Sequence, residues 1–260
     1  MPKLAANLTM LFGEVPFLDR FEAAAGAGFT GVEYLFPYDY PAADLKARLR
    51  DHGLTQVLHN LPAGDWAAGE RGIACFPDRV DEFKAGVERA IEYATALECP
   101  RVNCLAGIPP PALPLSEALD TFIRNVGYAA GRLQAAGIAL LIEPINTRDI
   151  PGFFLTGTRQ AAGVIEAAGS DNAFIQFDIY HMTIMEEDVA ATIARYLPRI
   201  AHMQLADVPG RHEPGTGGID YGQLLPLIDR TGYTGWIGCE YKPKADTIGG
   251  LGWAAAYLGR

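Results

Sequence analysis

Positive charge is what this 260-residue chain has least of: Lys and Arg number 21 against 31 Asp and Glu, a formal net charge of −10. Such a surface repels a nucleic-acid backbone and an anionic membrane, so neither is an expected partner, and any anionic substrate must be held by local positive charge. Cysteine is also sparse. Cys75, Cys99, Cys104 and Cys239 form no C-x-x-C pair, which argues against a disulfide framework or a thiolate zinc site and leaves them as small buried hydrophobes. No stretch approaches the ~20 apolar residues of a spanning helix. Met1-Pro2-Lys3-Leu4 lacks the apolar run of a signal peptide, so a soluble, cytoplasmic protein is expected. No G-x-G-x-x-G follows the first apolar run, and Gly26-Ala27-Gly28 falls at a helix end instead, which disfavours a doubly wound nucleotide-binding sheet.

Apolar residues make up 49% and charged residues 20% of the chain, enough to bury a sizeable core. Neither a Ser-rich linker nor a composition shift marks a boundary, so residues 1–260 are expected to form one domain. Short β-branched or apolar runs alternate with longer helical patterns. The strand candidates are Leu4–Leu8, Gly31–Leu35, Gln56–His59, Val102–Leu105, Ala139–Glu143, Phe174–Asp178, Ile200–Leu205 and Trp236–Tyr241. Between them Val80, Phe83, Val87, Ile91, Ala94 and Leu97 form the clearest helical stripe, bracketed by Pro77 and Pro100. Other helices are expected to start near Pro16, Pro41, Ser116, Thr158, Glu187, Tyr221 and Gly250, with Gly28, Gly53, Gly137, Gly169 and Gly232 where helices stop. Eight βα units of about 32 residues each suit an α/β fold of the (β/α)8 TIM-barrel type.

In such a barrel the active site lies at the C-terminal ends of the strands. Those ends read Asn7, Glu33, His59, Asn103, Glu143, Asp178, Gln204 and Glu240, each polar after an apolar or small run. Any one could be an ordinary hydrogen-bonded strand end; together they must share a cavity. Glu143, Asp178, Gln204 and Glu240 offer only oxygen donors, a set suited to a divalent cation such as Mg²⁺ or Mn²⁺ rather than zinc. Crowded carboxylates without a cation would repel and keep a proton. Glu143 and Glu240, from the fifth and eighth strands, could face each other across a small substrate, one removing a proton from carbon and the other returning it.

These residues sit in longer motifs. Ile142-Glu143-Pro144-Ile145-Asn146 with Asp149-Ile150-Pro151-Gly152, Gln176-Phe177-Asp178-Ile179-Tyr180-His181-Met182, His202-Met203-Gln204-Leu205-Ala206-Asp207 with Arg211-His212-Glu213-Pro214-Gly215, and Gly235 to Pro243 occur in one order along the chain. That order resembles the hydroxypyruvate isomerases of the xylose-isomerase-like barrel superfamily. The resemblance implies that Glu143 and Glu240 form the acid–base pair, that Glu143, Asp178, Gln204 and Glu240 surround a divalent metal, and that His181 contacts substrate. Gln204 stands where related epimerases usually have a histidine ligand. The histidine-rich endonucleases of the same superfamily need more imidazoles than the five histidines here.

His59 at the end of the third strand could polarise the substrate carbonyl, or be a structural histidine. His202 is expected to share the inward face with Gln204, and His52 to cap a helix. Arg211 and Lys242 could neutralise a carboxylate substrate or form surface ion pairs. The segment from His59 to Ile73 is long for a βα turn; Trp66 could exclude water and Arg71 meet an anion, or the loop could simply pack on the surface. The reading that results is a metal-assisted aldose–ketose type isomerase acting on a small hydroxy-oxo acid. A 2-oxo-tetronate isomerase or ketose epimerase is the same-class alternative, and a metal-dependent hydrolase the distant one. A homo-oligomer stays open.

Overall fold

The structure, a computed structural model, describes residues 1–185 and 188–258. Eight parallel strands close into a barrel in sequence order: β1 Lys3–Asn7, β2 Gly31–Glu33, β3 Thr55–Asn60, β4 Arg101–Cys104, β5 Ala139–Ile142, β6 Ala173–Asp178, β7 Ile200–Leu205 and β8 Trp236–Cys239. The α-helices are α1 Arg20–Gly26, α2 Ala42–Asp51, α3 Val80–Ala96, α4 Leu115–Ala135, α5 Thr158–Ala168, α6 Ile179–Met185, α7 Val189–Tyr196 and α8 Tyr221–Arg230. The expected (β/α)8 barrel is therefore the observed one. Among the described residues no helix is long and apolar enough to cross a membrane.

The helical stripe of α3 lies on the sheet as its spacing requires, with Phe83, Val87, Ala90 and Ala94 buried. The five expected stop glycines all have positive φ; Gly169, for example, closes α5 in the left-handed conformation at φ 64°. The helix expected near Glu187 begins at Val189, Glu187 itself lying outside the described residues. Two helical elements depart from expectation. The short α6 directly after β6 has no signal separate from the strand before it. The segment near Gly250 forms a 3-10 helix, Gly249–Ala254, rather than an α-helix, consistent with the cost of three glycines in one short run.

One irregularity decides what the barrel presents inward. Along β2 and β3 the partners are Gly31 with Thr55, Val32 with Gln56, then Glu33 with Leu58, so β3 carries one extra residue. Because side chains alternate, a one-residue insertion exchanges the faces of everything that follows. His59 therefore turns out toward the helices, and Asn60, opposite Asn103 on β4, takes the inward place. A similar insertion in β7 opposite β6 leaves His202 paired with Gln176, and Gln204 with Asp178.

The barrel interior is apolar in its lower part, where Ala5, Val57, Leu58 and Leu141 pack together, and polar above. Room for that polar part depends on Gly238 of β8: a methyl group there would sit on the Glu33 carboxylate. Glu33 cannot easily yield, because it is held by Asn7, His202 and Gln204. Gly238→Ala should thus destabilise the protein by about 1–3 kcal/mol through overpacking. Urea unfolding measures this; an unchanged midpoint would show that Glu33 moves freely.

Candidate active site

The strand ends converge as their inward direction demands. Glu143 and Glu240 lie one residue beyond β5 and β8, Asp178 ends β6, and all three are buried. With His181 of α6 they form a cluster whose potential ligand atoms lie within 4.8 Å of one another.

Each carboxylate is aimed by a different device. Asp178 Oδ1 accepts the backbone N–H of Tyr180 at 2.8 Å, at the start of α6, which leaves Oδ2 for the cluster. Asn103 of β4 donates to Glu143 Oε2 at 2.9 Å and to Asn60 Oδ1 at 3.2 Å. Asn7 of β1 donates to Glu240 Oε1 at 3.1 Å and to Glu33 Oε1 at 3.0 Å. Behind Asn7, Glu33 Oε2 lies 2.7 Å from His202 Nε2, and Glu33 Oε1 accepts from Gln204 Nε2 at 2.8 Å. The two glutamates are thus each held by an asparagine amide from the strand ends.

Arg211 brings positive charge to this acidic centre. Its Nη2 lies 3.3 Å from Asp178 Oδ2 and contacts Glu240 Oε2, while the guanidinium sits 5.1 Å from the Tyr180 ring centre. It reaches the cluster from the loop after β7, which Asp207 organises: both carboxylate oxygens of this fully buried residue accept backbone N–H groups, from Val208, Gly215, Gly217 and Ile219.

Burial is the main force on protonation here. It raises Glu143 well above the usual carboxylate range, with Glu240 and Asp178 adding to the effect. Glu240 is pushed up to about 8 by burial, against the opposing pull of Arg211. Asp178 is pushed up to about 6 by burial, again against Arg211. His181 is held well below its usual value by burial and by Arg211. Three buried carboxylates with one guanidinium form a site that retains protons or accepts a further cation, and its oxygen donors suit a divalent metal ion.

Not every residue singled out from the sequence reaches this centre. Glu143, Asp178, Glu240, His181 and Arg211 do. His59 does not: after the β3 insertion its Nδ1 lies 3.1 Å from the Asn60 carbonyl oxygen and 3.5 Å from the Tyr38 hydroxyl, and burial lowers its pKa to about 4. Asn60 stands in its place. Its Nδ2, like Asn103 Oδ1, is buried without a hydrogen-bond partner among the described residues, a state suited to polar atoms that pair with a ligand. The Gln204 amide is engaged on both sides, Oε1 accepting from Gln176 at 2.6 Å and Nε2 donating to Glu33, while His181 stands with the three carboxylates. Arg71 Nη1 donates to the carbonyls of Trp66 and Glu70 within its own loop, and the guanidinium stacks 4.1 Å from the Trp66 ring centre. Trp66 in turn packs on Phe36. Lys242 is exposed, whereas His52 caps α2 as expected. Asn60, Asp207 and the Asn146 side chain beside His181 carry no mark in the sequence, because Asn60 falls one residue past the expected end of its strand and the other two lie beyond strand ends, where an asparagine or aspartate has no distinctive pattern.

Residues 21–257 match the family described as xylose isomerase-like TIM barrel. The chain is 52% identical over 257 residues to the hydroxypyruvate isomerase of Escherichia coli strain K12, covering 99% of this chain and 100% of that protein. It is 48% identical over 260 residues to the 2-oxo-tetronate isomerase of Cupriavidus necator, covering 100% of both. A crystal structure described as an AP endonuclease, family 2, from Brucella melitensis superposes with a TM-score of 0.97 at 45% identity, over 99% of this chain and 100% of that one.

The raised carboxyl pKa values predict a pH effect on stability. A carboxyl group whose folded pKa exceeds its unfolded value stabilises below the unfolded value and loses that contribution as pH rises through the folded one. The two lowered histidines act oppositely, but only below their ordinary 6.5. Metal-free protein should therefore lose stability between pH 6.5 and about 8, with Glu240 a main contributor. The slope is roughly 1.4 kcal/mol per pH unit for each additional proton held by the folded state. Urea titrations across this window should show the decline, and Glu240→Gln should flatten it; a flat wild-type profile would contradict the assigned protonation.

Proposed function

We propose that this chain, which belongs to the xylose isomerase-like TIM barrel family, is an isomerase that interconverts hydroxypyruvate and tartronate semialdehyde through an enediolate. The observation that carries this reading is the pair of buried glutamates, Glu143 and Glu240, brought to one cluster from the ends of the fifth and eighth strands and each steadied by an asparagine. The reaction moves one proton from the hydroxymethyl carbon to the neighbouring carbon and, at the enediolate stage, one proton from the hydroxymethyl oxygen to the former carbonyl oxygen. One carboxylate takes the proton from the hydroxymethyl carbon, and the partner, kept protonated by burial, delivers one to the adjacent carbon.

Arg211 meets the substrate carboxylate, supplying the local positive charge that the acidic chain otherwise lacks. His181, buried against Asp178, faces the substrate oxygens. A divalent cation, Mg²⁺ or Mn²⁺, would be held by Glu143, Asp178 and Glu240 with Gln204 behind them, and would stabilise developing negative charge on oxygen. The cluster's burial keeps water from the enediolate. A cytoplasmic location suits a chain in which no described helix could cross a membrane.

The 2-oxo-tetronate isomerases at 48% and 45% identity support a second reading, the same proton transfer on a four-carbon oxo acid. A hydrolytic nuclease is disfavoured by the net charge of −10 and by a cluster with a single imidazole among three carboxylates.

Incubation with hydroxypyruvate in D₂O, followed by NMR, tests the reading. Deuterium should enter the carbon that receives the proton as the aldehyde product forms, and Glu143→Gln and Glu240→Gln should each cut turnover by about 10²–10⁴-fold with the fold retained. Retention of more than about a tenth of wild-type activity by either variant would remove that glutamate from the proton path. A higher kcat/KM for 2-oxo-tetronate than for hydroxypyruvate would transfer the function to the second reading.

A further inference from the structure

Among the described residues, His181 Nδ1 faces donors only. The backbone N–H of Asn146 lies 3.5 Å away and the Asn146 side-chain Nδ2 2.6 Å away. A backbone N–H can donate and cannot accept. The side-chain amide is oriented independently of the histidine, because Asn146 Oδ1 accepts the backbone N–H groups of Arg148 at 3.0 Å and Asp149 at 2.8 Å. The group turned toward His181 is therefore the NH₂. This NH₂ also donates to Asp149 Oδ2 at 3.1 Å, and the same oxygen accepts from the Tyr180 hydroxyl at 2.8 Å. Asn146 is fully buried, and its amide cannot turn over without losing its side-chain bonds to Arg148 and Asp149.

With Nδ1 accepting, a neutral imidazole carries its proton on Nε2. Nε2 is the atom on the cluster side, 3.4 Å from Asp178 Oδ2 and 3.9 Å from Glu143 Oε1. We propose that Asn146 is a positioning residue that fixes His181 as the Nε2–H tautomer, so that His181 donates a hydrogen bond to the reacting oxygen of the substrate and is withdrawn from the cation ligands. The identity of that oxygen rests on the isomerase reading above; the tautomer does not.

Two consequences follow from the proton's place. Of Glu143, Asp178, His181 and Glu240, only the carboxylates then present lone pairs to a cation, although all four stand close enough to hold one. A neutral N–H donor also suits an oxygen that gains negative charge as a proton leaves the neighbouring carbon, since the donor is in place before the charge appears. The requirement explains why an asparagine stands at position 146. An aspartate would keep the acceptor for the two backbone N–H groups but would place a second acceptor against Nδ1.

Long-range ¹H–¹⁵N correlation spectra of the full chain, with the His181 signals identified by comparison with His181→Asn, read the tautomer directly. The expected result is an unprotonated Nδ1 and a protonated Nε2, both unchanged by saturating Mg²⁺. A protonated Nδ1, or loss of the Nε2 proton when Mg²⁺ is added, would overturn the proposal. In Asn146→Asp, Nδ1 should become protonated and kcat should fall by at least about tenfold, with KM changed much less. Loss of kcat with a wild-type imidazole spectrum would overturn it equally. If that variant does not fold, the wild-type spectra decide alone. Failure of the deuterium experiment would leave these signals untouched, so the two readings fail separately.

Discussion

The structure depends on the cost of placing three carboxylates in one buried space. Glu143, Asp178 and Glu240 meet at the barrel mouth with almost no exposure, where mutual repulsion and lost hydration both oppose ionisation. The surrounding architecture answers that cost. Asn7 and Asn103 donate to the two glutamates, the start of α6 holds Asp178, and Arg211 lies against Asp178 and Glu240. Even the position of Arg211 derives from another buried side chain, because Asp207 gathers four backbone N–H groups to shape its loop. What remains uncompensated appears as raised carboxyl pKa values, and a site poised between proton and metal binding is suited to moving a proton from one carbon to the next.

The parallel barrel supplies this arrangement without long-range contrivance. Consecutive strands bring their last residues to one rim, so residues as distant in sequence as Asn7 and Glu240 become neighbours. The lower interior is filled by apolar side chains, and the polar network of Glu33, His202, Gln204 and Gln176 lies between that plug and the cluster. The buried carboxylates thus rest on a hydrogen-bonded floor at the strand ends, which favours a fixed geometry.

Much of this was legible in the sequence, for identifiable reasons. Eight apolar runs separated by amphipathic stretches dictate the barrel, glycines mark the helix ends, and the polar residue closing each run points to the rim. The sequence was silent where the outcome depended on register. Nothing in Thr55–Asn60 announces the extra residue in β3, yet it turns His59 away from the site and brings Asn60 in. Side-chain partners were equally hidden: the amide of Gln204 could have served a cation, but Glu33 and Gln176 engage it. Arg71 had the charge to bind an anion, and its stacking on Trp66 is a property of the folded loop. Asn146 closes the Ile142–Asn146 motif, but its place against His181 emerges only when α6 brings the two together.

The central claim is that the three carboxylates act together as one cation-binding centre. Titration of metal-free protein with Mn²⁺, following the free ion by electron paramagnetic resonance, tests it directly. The account predicts one strong site per chain, weakened at least about tenfold by Asp178→Asn and little altered by a substitution at exposed Lys242. Wild-type affinity in Asp178→Asn, or no saturable site in the wild-type protein, would contradict it.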